Sequence, residues 1–252
     1  VGFSLKEAGS IGIIGAADGP TSIYVANLFA GKELVGPITV AAYSYMSLVP
    51  LIQPPVIKAL TTPEERRISM DLNLHKVSQT TRILFPIIVT TIAGLIAPMS
   101  VGLVGSLMFG NLIRECGVLD KLSRAAQNEL SNLVTLLLGI TIGSTMVAEN
   151  FLTWKTLMIL AMGLFAFIFD TAGGVLFAKL LNLFLPRKIN PMIGAAGISA
   201  FPMSARVIQK LAQKENPGNF VLMQAVGANV AGQVGSILAA GVLIYLVNAL
   251  AL

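Results

Sequence analysis

The stretch "IIGAADGPTSI" (13–23) places one carboxylate, Asp18, and two hydroxyls, Thr21 and Ser22, inside an apolar run from Ile11 to Ala30. Gly19 admits backbone conformations closed to other residues, and Pro20 removes an amide. A helix broken there frees carbonyls and amides that hydrocarbon leaves unsatisfied, so such backbone has to line a protein-enclosed cavity or a bound ion. Half-helix C-termini offer carbonyls to a cation, and N-termini offer amides to an anion. Asp18 with hydroxyl and carbonyl oxygens suits a hard cation such as Na+. The same residues also fit a simple turn at the membrane edge, with Asp18 capping the following helix. An intramembrane carboxylate is nevertheless a functional candidate by default.

A second segment, "MIGAAGISAFPM" (192–203), echoes the first: Ile-Gly-Ala-Ala, then a Gly, then a Pro. Paired Gly/Pro-interrupted segments point to an inverted-repeat transporter with a site near the bilayer midplane. Chance similarity of two Gly/Ala-rich membrane segments is the competing explanation. Around the second segment stand Asn190, Ser199, Ser204 and Arg206; "VGANVAGQVGS" adds Asn229, Gln233 and Ser236. Small residues there also permit close helix packing, and Arg206 also reads as a snorkelling side chain. "AAYSYMSLVPLIQPP" puts Tyr43, Ser44, Tyr45, Ser47 and Gln53 in one span. Tyr43 or Tyr45 is either a proton donor or cation ligand, or an interfacial aromatic. Asp170 lies mid-segment without a basic neighbour, either buried and protonated or part of a proton path.

The elements that hold these residues are membrane helices. Of 252 residues, 55% are hydrophobic and only 12% charged, about half the charge of a soluble domain. The class is therefore all-α and polytopic, with candidate segments at 11–30, 36–57, 83–98, 101–113, 132–148, 156–182, 190–205 and 219–250. The glycines Gly227, Gly232 and Gly235 suggest a break in the last one. The chain divides into residues 1–60, a polar loop at 61–82, and a second membrane repeat at 83–252. Residues 114–130 read as an amphipathic helix at the interface or a solvated linker. The net charge of +5 sits in short loops, which favours a topological role over nucleic-acid binding. Cys116 is alone, which excludes an intrachain disulfide. His75 is the sole histidine, so Ser-His-Asp and His-metal chemistry have no basis, and it reads as a solvated loop residue. No phosphate-loop motif is present.

The blocks "GAADGPTSIYVA", "AAYSYMSLVPLIQPPVIKALTT", "GSLMFGNLIRECGVLDKL", "AQNELSNLVTLLLGITIGSTM", "INPMIGAAGISAFPMSARV" and "NFVLMQAVGANVAG" cover nearly the whole chain. Together they resemble the beta subunit of the sodium-translocating biotin-dependent decarboxylases. The resemblance implies a membrane subunit with discontinuous helices that decarboxylates carboxybiotin, consumes a proton and exports Na+ across the cytoplasmic membrane. It implies carboxyltransferase and biotin-carrier partners, a small membrane-anchoring subunit, and a homo-oligomer in lipid. By motif, it implies that Asp18 is the essential aspartate and that Tyr45, with Tyr43 beside it, is the functional tyrosine. It places Asn190, Gly194, Ser199 and Asn229 with Asp18 at Na+, and Arg206 at the carboxylate of carboxybiotin.

The chain departs from that family at Gly15-Ala16-Ala17-Asp18, at Gly194-Ala195-Ala196-Gly197 and at Gln224-Ala225-Val226-Gly227-Ala228-Asn229, which lose a glycine, a hydroxyl, and a His and Pro. Asp170 stands where the family shows a small residue. Few residues precede the first break, and the chain begins at Val1, so it is expected to be a fragment or processed product lacking an N-terminal part of the family fold. Two rival functions stay open: a cation-coupled secondary transporter of organic anions, and a non-catalytic membrane scaffold.

Overall fold

Helix ends follow the local chemistry. Ser4 and Glu7 form a reciprocal capping box that starts α1 (Leu5–Gly12). Asp18 is the N-cap of α2 (Gly19–Phe29), with Pro20 in its first turn, where a missing amide costs nothing. The computed structural model describes residues 2–70 and 77–250; His75 lies outside them. The remaining helices are α3 (Lys32–Leu60), α4 (Pro63–Arg66), α5 (Gln79–Ile96), α6 (Val101–Glu115), α7 (Asp120–Ala125), α8 (Ser131–Thr145), α9 (Ala148–Phe151), α10 (Trp154–Phe184), α11 (Met203–Glu215) and α12 (Leu222–Leu250). No strand occurs among the described residues. Among the described residues four helices, α3, α5, α10 and α12, are long and apolar enough to cross a bilayer. The chain is an all-α polytopic membrane protein.

The chain forms two compact units, Val1–Asn73 with Leu152–Ser236, and Leu74–Phe151 with Ile237–Leu252. In the first, α10 packs against α3 and against two 3-10 turns, Ile13–Ala16 and Pro191–Gly197. Its core is built from Ile14, Ile38, Val49, Ile159, Phe167 and Ile208, all fully buried. In the second, α5 and α6 form a hairpin through a 3-10 turn at Pro98–Ser100.

Two expectations are corrected. Residues 190–205 are not a membrane helix. They form the 3-10 turn, then non-helical backbone from Ile198 to a cis Phe201–Pro202 peptide, and only then α11. That helix has 13 residues and carries Arg206, Lys210 and Lys214, too short and too charged to span. Conversely, α12 runs unbroken past Gly227, Gly232 and Gly235. Gly232 instead gives room to the backbone carbonyls of Gly197 and Ile198, so its missing side chain serves close approach rather than a break.

Polar side chains tie down the segment after α3. Lys179 of α10 donates to the Leu60 carbonyl at 3.0 Å and pairs with Glu65 at 3.1 Å. Arg66 donates to Glu215 at 2.8 Å and to the Thr61 carbonyl at 2.5 Å. Residues 114–130 contain the end of α6, a turn at Gly117, α7 and a π turn at Ala126–Leu130; Ser123 alone is buried among them.

Candidate functional site

Both interruptions are built alike. The first is a 3-10 turn over Ile13–Ala16, followed by Ala17 in the left-handed region (φ 51°) and extended Asp18, which opens α2. A non-glycine residue pays a steric cost in that region, so the surrounding packing must hold Ala17 there. Ala17 is fully buried. The second is the 3-10 turn Pro191–Gly197 followed by extended Ile198 and a tight turn at Ala200, closed by the Phe201 amide on the Ser199 carbonyl at 2.6 Å.

The two breaks meet. The Ser199 amide donates to the Ala16 carbonyl at 3.0 Å. The Ser199 hydroxyl donates to Asp18 Oδ2 at 3.0 Å, while Asp18 Oδ1 accepts from the Thr21 amide at 3.2 Å. Asn229, fully buried on α12, donates through Nδ2 to the Ile198 carbonyl at 2.5 Å. Its other polar atom, Oδ1, is buried without a hydrogen-bond partner, and so is the Ser22 hydroxyl. Unpaired buried acceptors carry a desolvation penalty of about 1–3 kcal/mol unless something fills the role. Asp18 is only half-buried, so the carboxylate retains access from outside. One carboxylate and a serine hydroxyl on the two broken segments, with an orphaned amide oxygen on α12, offer hard oxygens with a single negative charge. That balance suits a monovalent cation better than a divalent one, which typically draws on several carboxylates. Among the described residues no group of three His, Cys, Asp or Glu side chains is placed to hold a metal ion.

The other expected residues fall in different places. Asn190 is fully buried, but its amide donates to the Arg66 carbonyl (3.0 Å) and the Ile68 carbonyl (2.9 Å), and its oxygen accepts from the Met192 amide (3.1 Å). It fixes the start of the second turn onto the end of α4 and the residues that follow it. Gly194 lies against the backbone of Gly174 in α10. Tyr45 donates to the Leu160 carbonyl of α10 and stacks on Phe167, with centroids 6.4 Å apart. Tyr43 lies nearer the first break: a Cβ on Gly19 would sit 2.5 Å from Tyr43 Cζ. Arg206 is exposed on α11 and lines a cleft of about 490 Å³ with Lys58, Lys210 and Lys214. Asp170 is on the exposed side of α10.

One residue in the core of this arrangement stood out only weakly in the sequence. Gln53, fully buried on α3, donates to the Ala195 carbonyl at 2.9 Å, and its oxygen lies 2.9 Å from the Ser204 hydroxyl. Ser204 also lies 3.1 Å from the Ala195 carbonyl. This triangle joins α3, the second turn and α11. A glutamine between Pro50 and Pro54 was the available signal, because a buried amide in a proline-rich span needs a partner. Gln53→Leu removes two buried hydrogen bonds, leaving Ser204 and the Ala195 carbonyl only each other, and is expected to destabilise the protein by about 1–3 kcal/mol, read by thermal unfolding in detergent. Unchanged stability would remove Gln53 from the scaffold of the site.

The family model described as Na+-transporting oxaloacetate decarboxylase beta subunit matches residues 1–247. The chain is 53% identical over 244 residues to methylmalonyl-CoA decarboxylase subunit beta of Propionigenium modestum, covering 97% of this chain and 61% of that protein. It is 52% identical over 242 residues to the probable oxaloacetate decarboxylase beta chain of Vibrio cholerae, covering 96% and 55%. It is 53% identical over 248 residues to glutaconyl-CoA decarboxylase subunit beta of Acidaminococcus fermentans, covering 98% and 66%. The chain thus spans between 55% and 66% of the length of these relatives. With a match along nearly its entire length and both interrupted segments in place, the chain belongs to the family of Na+-transporting oxaloacetate decarboxylase beta subunits.

Proposed function

We propose that this chain forms the membrane core of a pump in which decarboxylation of carboxybiotin drives Na+ out across the cytoplasmic membrane. The observation that supports it most is the Ser199–Asp18 hydrogen bond between two broken segments, with the Asn229 oxygen buried beside them and unpaired. Na+ is cargo in this reading. Asp18 supplies the charge, and Ser199 and Asn229 supply neutral oxygens. Asn190 and Gly194 fix the second turn that presents Ser199.

The cleft at Arg206 fits an anionic substrate: among the described residues four cations line it and no carboxylate does, and the rest of its lining is apolar. Carboxybiotin would supply a carboxyl group that leaves as CO2 while its electron pair stays on the ureido nitrogen, which then takes one proton. Arg206 orients that carboxylate. The end of the first unit bearing Lys58, Arg206, Lys210 and Lys214 faces the cytoplasm, following the bias of basic loops. The partners are a carboxyltransferase subunit, a biotin-carrier domain and a small membrane-anchoring subunit around a homo-oligomer. The choice of acid or acyl-CoA belongs to the carboxyltransferase.

The proton has two candidate donors. Because Tyr43 has its hydroxyl end at the break, Tyr43→Phe is expected to lower turnover more than Tyr45→Phe. Tyr45→Phe loses one tether of α10, worth about 1 kcal/mol of stability. Rates of CO2 release by both variants across pH check this; the reverse ranking gives the proton step to Tyr45.

The test of the whole reading is radioactive sodium uptake into proteoliposomes holding the full-length protein and its partners, with and without avidin. Uptake abolished by avidin supports the biotin-driven pump. Uptake indifferent to avidin replaces it with a cation-coupled carrier.

A further inference from the structure

Arg206, Lys210 and Lys214 follow each other at intervals of four, so they form one stripe along α11. All three are exposed. The opposite face, with Ala205, Ile208, Leu211 and Ala212, is buried in the core. Lys58, in the last turn of α3, stands across the cleft from the stripe. None of these four cations takes part in an ion pair among the described residues; the pairs there involve Arg66, Arg82, Arg114 and Lys179.

This arrangement carries a local cost. Like charges four apart on a helix are mutually destabilising by about 0.2–0.5 kcal/mol per pair. Local rules broken without internal compensation mark functional surfaces. The stripe is also held rigidly. Glu215, next to Lys214, is bound by Arg66 at 2.8 Å. Gln209, on the buried side, accepts from the Val221 amide at 2.8 Å and donates to the Asn219 carbonyl at 3.2 Å. Four cations exceed what one small carboxylate requires. Arg206 alone matches a single carboxylate, which leaves Lys58, Lys210 and Lys214 to meet further negative charge on whatever brings that group in.

We propose that Lys58, Lys210 and Lys214 form a docking surface for an acidic patch on the protein domain that carries biotin, with Arg206 at its inner edge. The proposal rests on the pump reading above. The stripe steers the carrier by long-range attraction and sets its register over the cleft, as charged rims do at other interfaces. The Pro54 and Leu211 side of the cleft accepts the apolar part of the tethered group.

The experiment uses the full-length protein reconstituted with its partners in neutral phosphatidylcholine vesicles. CO2 release is followed against the concentration of carboxylated carrier domain, and separately against free carboxybiotin. For the double charge reversal Lys210→Glu with Lys214→Glu, KM for the carrier is expected to rise about tenfold or more, with the effect in KM rather than kcat. Wild-type KM should climb as ionic strength goes from about 0.05 to about 0.3 M, a range over which the Debye length shortens past the spacing of such charges. The reversed variant should lose that dependence. Lys210→Arg with Lys214→Arg should restore wild-type behaviour, and a matching unfolding midpoint shows that the reversed protein is folded. An unchanged carrier KM overturns the proposal. So does an equal loss with free carboxybiotin, because the lysines would then act on the small molecule. A change confined to binding of phosphatidylserine vesicles, with carrier KM intact, assigns the stripe to lipid instead. Wild-type protein that releases no CO2 from carboxylated carrier overturns the pump reading and the docking surface together, whereas active wild type with an indifferent variant overturns the docking surface alone.

Discussion

Asp18→Asn is expected to leave a folded protein whose half-saturating Na+ concentration is raised by two to three orders of magnitude. The side chain has two jobs that this substitution separates. As N-cap of α2 it accepts from the Thr21 amide, and asparagine caps a helix about as well as aspartate. As the single charge between the breaks it attracts a cation. A unit charge acts on another at 4 Å with about 4 kcal/mol at an effective dielectric of about 20. At about 1.4 kcal/mol per decade, that is up to about a thousandfold in affinity, part of which the asparagine oxygen recovers. Asp18→Ala loses both jobs and should in addition destabilise the protein by about 1 kcal/mol. The measurement is Na+-dependent CO2 release alongside thermal unfolding. Normal Na+ dependence in a folded Asp18→Asn protein would reduce Asp18 to a helix cap and remove the cation site from between the two segments.

The first break was legible because its chemistry is local. A carboxylate followed by Gly-Pro-Thr specifies an N-cap and a first-turn proline, and the structure has both. The long spans were also legible, since their length and apolar content depend on nothing else: expected segments at 36–57 and 156–182 correspond to Lys32–Leu60 and Trp154–Phe184. The second segment was harder. Its composition is that of a membrane helix, but Ile198 and Ser199 stay out of a helix because their polar groups find partners far away in sequence, at Ala16, Asp18 and Asn229. No local pattern reports such contacts. The glycines of α12 misled for the same reason: a glycine that breaks a helix and one that admits a neighbouring backbone look identical until the neighbour is known. Tyr43 and Tyr45 are two residues apart and similar in sequence, yet one faces Gly19 and the other reaches Leu160. The motif could not rank them. The basic stripe on α11 was visible only as charge, because its spacing acquires meaning once the segment is known to be a short helix with one buried face.

Gly173→Ala and Gly194→Ala should act in opposite directions, although both only add a methyl group. A Cβ on Gly173 meets nothing within 4 Å, so alanine there improves helix propensity by up to about 1 kcal/mol. A Cβ on Gly194 would lie 2.6 Å from the carbonyl carbon of Gly174 and 2.9 Å from Ala178 Cβ. The obstacle is the backbone of α10, which cannot swing aside as a long side chain does. The turn Pro191–Gly197 must therefore lift from α10, at a cost of about 3 kcal/mol or more, at the upper end of what overpacking usually produces. The same movement carries Ile198 and Ser199 with it. A displacement of about 1 Å is enough to break a hydrogen bond of 3.0 Å such as Ser199 to Asp18. Gly194→Ala is thus expected both to lower the unfolding temperature and to abolish any stabilisation of the protein by added Na+, since ligand stabilisation requires an intact site. Gly174→Ala should reproduce both effects. The two together should cost less than their sum, because one displacement accommodates both methyl groups. Thermal unfolding in detergent with Na+ or with choline in its place reads all four proteins. A Gly194→Ala protein that unfolds like wild type and still gains stability from Na+ would show that the turn reaches Asp18 without depending on its contact with α10.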